Sequence, residues 1–140
     1  MIFKDCSSTI DMKVILDTNF IISAILNKIQ LIDVLLEIPE ITDIIIPLEV
    51  STELERIEQS SETTSSEKEA ARLAEFLIKK KNLTITTLGT KDVDAGLLRY
   101  CTQQECILAT LDRKLKEKIR QKFPKTKFLT IKEKKRIDFQ

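Results

Sequence analysis

The apolar positions of this chain fall in short runs separated by polar turns, and the period of each run predicts its element. Lys13-Val14-Ile15-Leu16 stops at Asp17-Thr18-Asn19 and reads as a buried strand. Thr18 or Asn19 can cap the helix that continues through Phe20, Ile21, Ile22, Ala24 and Ile25. A second helix is expected from Ile29 to Ile38, ahead of Pro39, and a second strand over Asp43-Ile44-Ile45-Ile46. Pro47 then suits the first turn of a helix in which Val50, Leu54 and Ile57 recur at i, i+4 and i+7, leaving Glu53 at the edge of the apolar stripe.

The stretch 58–67, EQSSETTSSE, has no apolar residue and is expected to be a mobile loop. Helical phase resumes with Ala70, Leu73, Ala74, Leu77 and Ile78, and Leu83 to Thr87 alternates as a strand. A helix from about Asp92 to Gln103 turns Leu97, Leu98 and Cys101 inward. Cys106 to Thr110 is a buried strand that delivers Leu111-Asp112, and the following helix aligns Leu115, Ile119 and Phe123. A last strand is expected near Lys127 to Ile131. Alternating strands and helices of this kind make a parallel sheet covered on both faces, a three-layer α/β/α sandwich of about five strands. Residues 1–11 read as an N-terminal extension, 12–132 as the domain and 133–140 as a basic C-terminal tail.

Composition narrows the chemistry. At 140 residues, 42% of them hydrophobic, the chain fits one domain with a substantial core. It contains no histidine, which removes the commonest general base near neutral pH and the commonest transition-metal ligand. Hydrolysis here would fall to carboxylates, which favour hard cations such as Mg2+ or Mn2+. Cys6, Cys101 and Cys106 are odd in number and unpaired in spacing, so packing explains them better than a disulfide framework or a zinc site. No apolar run reaches the roughly 18 to 20 residues of a membrane span, and the N-terminus lacks a signal-peptide plan. The expected setting is cytoplasmic, with no membrane partner. Net charge is +1, yet residues 113–136 carry twelve Lys or Arg against two Glu, leaving a net −9 on the rest. That asymmetry suggests a cationic face for a polyanion beside an anionic one for cations, although surface lysines often only solvate.

Ligands of an open parallel sheet collect beyond the carboxyl ends of its strands, so Asp17 and Asp112 can meet if their strands are neighbours at a switch point. Glu53 and Asp94, near the starts of adjacent helices, could project into the same crevice, where a divalent cation would relieve their repulsion. Each acid also has an ordinary reading as a helix cap or a solvated side chain, and by spacing alone both stay open. Thr18, Asn19 and Thr110 could orient a ligand or simply form turns. A phosphoacceptor receiver domain shares an acidic pocket, but it needs an aspartate ending the third strand, which Leu83 to Thr87 does not offer.

The segments VILDTNFIISAI, IIIPLEVSTELERI, DVDAGLLRYC and CILATLDRKLKEKIR together resemble the PIN-domain nucleases over Lys13 to about Ile131. The final segment is most similar to PIN proteins of small-subunit ribosomal RNA processing and to their archaeal single-domain relatives. The resemblance implies a strand order of 3-2-1-4-5 and Mg2+- or Mn2+-dependent endonucleolytic cleavage of single-stranded RNA, an rRNA precursor among the candidate substrates. It places the metal-binding, catalytic acids at Asp17, Glu53, Asp94 and Asp112, with Asp92 as the competing assignment for Asp94. Leu111 stands where many relatives carry a polar residue. Arg113, Lys114, Lys116, Lys118 and Arg120 are the candidate RNA contacts. Two other readings keep the fold: a non-catalytic RNA-binding or assembly module of ribosome biogenesis, and the toxin ribonuclease of a toxin and antitoxin pair. A homodimer is compatible with each.

Overall fold

The structure is a computed structural model that describes residues 12–140; the extension 1–11, with Cys6, lies outside the described residues. Its elements are β1 (Met12–Leu16), α1 (Thr18–Leu26), α2 (Leu31–Glu37), β2 (Ile41–Pro47), α3 (Leu48–Gln59), α4 (Ser65–Lys80), β3 (Thr84–Thr86), α5 (Val93–Gln103), β4 (Cys106–Ala109), α6 (Arg113–Lys122), β5 (Lys127–Lys132) and β6 (Arg136–Phe139). The sheet order is β3-β2-β1-β4-β5-β6. The first five strands pair in parallel in the expected order, and β6 adds antiparallel to β5.

Strand alternation divides the core into two faces. Val14 and Leu16 of β1, Ile44 and Ile46 of β2, and Ile107 and Ala109 of β4 join one apolar cluster with α1, α2, α3 and α4. Ile15, Ile45 and Leu108, from the opposite pleats, join the second with Leu97 and Cys101 of α5 and Leu115 and Ile119 of α6. The sulfurs of Cys101 and Cys106 lie 3.4 Å apart in this second cluster as free thiols. The hydrogen bond with Cys106 and burial push the Cys101 thiol well above its ordinary value, so both cysteines act as core residues.

Three expectations are corrected. The apolar-free stretch 58–67 is a loop only over 60–64: α3 runs to Gln59, and Thr64 caps α4 with a capping box. Its hydroxyl accepts from the Glu67 N–H at 3.1 Å, while Glu67 accepts from the Thr64 N–H at 3.2 Å. Leu73, in helical phase with the core residues of α4, is 45% exposed because Ala70, Ala71, Ala74 and Ile78 form the buried stripe. The residues read as a basic tail fold back as β6 through a turn in which Glu133 and Lys134 both have φ of 56°. A two-residue turn of that hand normally advertises itself with Asn or Gly. Glu-Lys gives no such signal, and the ion pairs of Asp138 with Lys132 and Arg136 accompany the pairing.

Gly96 lets α5 approach the chain that follows β3. A Cβ there would stand 2.7 Å from Leu88 Cβ and 2.9 Å from Thr90 Cγ2. Leu88 is buried and cannot simply swing aside. Gly96→Ala is therefore expected to destabilise the fold by roughly 1 kcal/mol net, because overpacking of about 1–3 kcal/mol outweighs the helix propensity gained. The shift in urea midpoint measures it, and an unchanged or higher midpoint would contradict the close approach.

Candidate active site

Parallel pairing of β1 with β4 sets Leu16 beside Ala109 and ends with the Asp17 N–H donating to the Ala109 carbonyl at 3.0 Å. The two chains then part, β1 entering α1 and β4 entering α6, which opens the crevice of a switch point. Asp17 is only 5% exposed there. Its Oδ1 accepts from the Thr18 N–H at 2.8 Å, so Asp17 itself caps α1 in place of Thr18 or Asn19. Its Oδ2 accepts from the hydroxyl of fully buried Thr110, also at 2.8 Å. Thr110 Oγ1 in turn accepts from the Asp112 N–H at 3.1 Å, so one side chain ties together the first and last acids of the chain's pocket.

Asp112 caps α6, its Oδ1 accepting from the Leu115 N–H at 3.1 Å. Asp92 does the same for α5 through the Ala95 N–H at 3.2 Å. Asp94, within the first turn of α5, makes no cap bond. Glu53 projects from α3, and all four acids line one cavity of roughly 960 Å3, together with Asp92, Thr18, Asn19 and Glu49. The Thr18 hydroxyl is buried without a hydrogen-bond partner.

Electrostatics record the crowding. Burial raises the carboxyl of Asp17 above its ordinary value, the Thr110 and Thr18 hydrogen bonds oppose the rise, and the charges of Asp94 and Glu53 reinforce it. Asp94 is raised by burial, then by Asp112 and Asp92, with Lys118 pulling the other way. Among the described residues no three acidic side chains converge closely enough to ligate one ion as they lie. Asp17 is fixed, whereas Glu53, Asp94 and Asp112 are part-exposed or exposed and can turn inward by rotation about χ1 and χ2. The lining thus offers hard oxygen donors, of which Asp17 is the one held rigidly.

The basic residues of α6 line none of this cavity. Arg113, Lys114 and Lys118 are exposed, and the charge of Lys118 reaches Asp94. Arg120 lies over the Phe128 ring, 4.9 Å from its centroid. Lys116 departs from the expected cationic face: it is 3% exposed, and its ammonium donates to Gln140 Oε1. Burial, then Arg120 and Arg113, push it below the ordinary lysine value. The return of β6 supplies that acceptor, which a free tail would not.

Sequence reasoning missed Glu49, Thr52, Arg56 and Lys91, all in the lining. Glu49 fixes the segment after β3: it accepts from Thr87 Oγ1 at 3.0 Å, from the Leu88 N–H at 2.9 Å and from the Gly89 N–H at 3.2 Å. Burial acts upward on its carboxyl, but these bonds outweigh it and leave Glu49 below the ordinary value. The spacing of Leu48, Thr52 and Arg56 at i, i+4 and i+8 could have revealed the α3 members; nothing in the spacing marks Lys91.

Residues 14–130 match the family model described as PIN like domain. The chain is 36% identical over 110 residues to ribonuclease VapC4 of Methanocaldococcus jannaschii, an alignment covering 76% of this chain and 82% of that protein. It is also similar to the solved structure of the PIN domain endonuclease Utp24, with a TM-score of 0.72, 26% identity and coverage of 91% of this chain and 90% of the other. With the family match running from β1 into β5, across every carboxylate of the pocket, the chain belongs to the PIN-like domain family.

Proposed function

We propose that this protein is a metal-dependent endoribonuclease that hydrolyses phosphodiester bonds of single-stranded RNA, with Mg2+ or Mn2+ held by Asp17, Asp94 and Asp112 and supported by Glu53. The observation that carries the reading is Asp17, a carboxylate withdrawn from water, braced by two hydrogen bonds and set in the same cavity as five other acids. Such a group is costly to leave uncompensated, and its oxygen-only neighbours suit a hard divalent cation. The unpartnered Thr18 hydroxyl in the same lining fits that donor set. The nuclease activities named for both relatives support the reaction class.

Bound in this cavity, the cation would supply charge neutralisation and Lewis acidity at the phosphodiester. Thr110 keeps Asp17 in one orientation and favours its charged form. Asp112 is steadied through its own amide and the Leu115 cap. With no histidine in the chain, proton transfer falls to carboxylates or to water. Exposed Arg113, Lys114 and Lys118 would hold backbone phosphates beside the pocket, while Lys116, turned to Gln140, would not.

Asp17→Asn and Asp112→Asn are each expected to lower Mn2+-dependent cleavage of a short fluorescent single-stranded RNA by about 100-fold or more, with the circular dichroism spectrum unchanged. Wild-type activity in either variant would remove the site. RNA binding without cleavage by the wild type would instead support the non-catalytic module.

A second expectation needs no turnover. The Asp17 carboxyl is raised in the folded state, so the folded protein binds the proton more tightly than the unfolded chain. Metal-free stability therefore falls as pH rises from the unfolded value, about 3.9, through the folded one, and the whole penalty is present at neutral pH. Asp17→Asn should raise the metal-free Tm at pH 7, with the gain disappearing below the unfolded value. Mn2+ should raise the wild-type Tm more than that of the variant. Thermal melts at both pH values check this, and a variant melting lower than wild type at pH 7 would contradict it.

A further inference from the structure

The acidic cavity has one flank that its carboxylates do not explain. Leu48, Glu49, Thr52, Glu53 and Arg56 line it from α3, a single stripe running from the first turn toward the carboxyl end of that helix. Arg56 lies one turn beyond Glu53, about 4.5 Å further along the axis. Lys91 approaches from the segment between β3 and α5, and these two are the basic residues of the lining. Both are exposed, and among the described residues neither side chain makes a salt bridge or hydrogen bond. Each is therefore close to an acidic pocket without being consumed by it. Leu48 is 51% exposed at the lip, an apolar surface in an otherwise charged rim, with part-buried Val93 also in the lining.

Two cations and an apolar residue in one lining match the two chemical parts of a nucleotide, its phosphate and its base. Lys118 of α6, outside the lining, also acts on Asp94 through its charge. Positive charge therefore borders the acids from more than one element, as a polyanionic strand crossing the pocket would require.

We propose that Leu48, Arg56 and Lys91 form a nucleotide subsite beside the carboxylates, in which Arg56 and Lys91 take a phosphate adjacent to the scissile one and Leu48 packs against the neighbouring base. The inference rests on the endoribonuclease reading and adds to it a place for the nucleotide next to the scissile phosphate, against α3 and the segment after β3. Glu49 serves the subsite indirectly by anchoring residues 87–89, from which Lys91 extends.

The test uses fluorescence anisotropy with a short single-stranded RNA in Mn2+, in an Asp17→Asn background so that the RNA stays intact. Arg56→Ala and Lys91→Ala should each weaken binding roughly three- to tenfold and reduce the log-affinity against log-salt slope by about 0.7. Arg56→Lys should restore most of that slope. Leu48→Ala should weaken binding with the slope unchanged, and Leu48→Phe should recover or exceed the starting affinity. In otherwise wild-type protein the same alanine changes should raise KM more than they lower kcat, with the Mn2+ stabilisation of the fold retained. All three residues are exposed, so their melting temperatures should match the parent. Unchanged affinity and slope in the Arg56 and Lys91 variants, in a parent that binds RNA and a wild type that cleaves it, would overturn the subsite and leave the nuclease reading intact. A wild type that neither binds nor cleaves RNA would overturn both.

Discussion

Everything at the candidate site depends on the parallel pairing of β1 with β4. The chain order would set these strands far apart, yet they are neighbours, with β2 and β3 laid outward on one side and β5 and β6 on the other. That reversal brings Asp17 within hydrogen-bond reach of Thr110, 93 positions away. It also lets the chain diverge just beyond the paired residues Leu16 and Ala109, so the space above them cannot be filled by backbone. The apolar pleats on both faces fix the register: a slip of one residue would exchange Val14 and Leu16 with Ile15 and aim Asp17 at the wrong layer.

Within that geometry the carboxylates divide into a fixed member and adjustable ones. Asp17 is immobilised by burial and by two hydrogen bonds, and Asp112 is bound at its amide and cap. Asp94 and Glu53 hang from helices with more freedom. The strain of collecting them appears in the upward displacement of Asp17 and Asp94, each driven first by burial and then by neighbouring negative charge. A structure selected only for stability gains nothing from such an arrangement, since an apolar or singly charged pocket would avoid the repulsion.

Much of this was legible because the strands announce themselves. Runs such as Val14-Ile15-Leu16 and Cys106-Ile107-Leu108-Ala109 are buried on both faces and end at acids, so both the sheet and the two strand-end aspartates could be read directly. The acids on helices needed the family resemblance, because Glu53 stands among Glu49 and Glu55 and nothing local distinguishes it. Asp92 and Asp94 both line the cavity, and spacing from Asp112 favours Asp94 while Asp92 caps α5. β6 escaped because its turn uses residues with no left-handed preference, although Arg136-Ile137-Asp138-Phe139 alternates polar and apolar positions. The start of α4 escaped for the opposite reason: its capping box, Thr64 to Glu67, was present but hidden within a polar stretch.

Segment charge misleads for a related reason. The excess of twelve basic residues over two acids in 113–136 suggests one continuous cationic face. Folding gives these residues different fates. Lys116 is buried against Gln140, Arg120 lies on Phe128, and Lys132 and Arg136 are engaged by Asp138. Of the α6 residues singled out in the sequence, Arg113, Lys114 and Lys118 are the ones left exposed without a side-chain partner of that kind. The cations that line the cavity itself, Arg56 and Lys91, come from the portion of the chain whose net charge is −9. A polyanion responds to the local field at the mouth of the crevice, and that field is set by which side chains the helices turn toward it. The functional charge pattern is thus a product of the fold, assembled from separate stretches of sequence around the acids that β1 and β4 bring together.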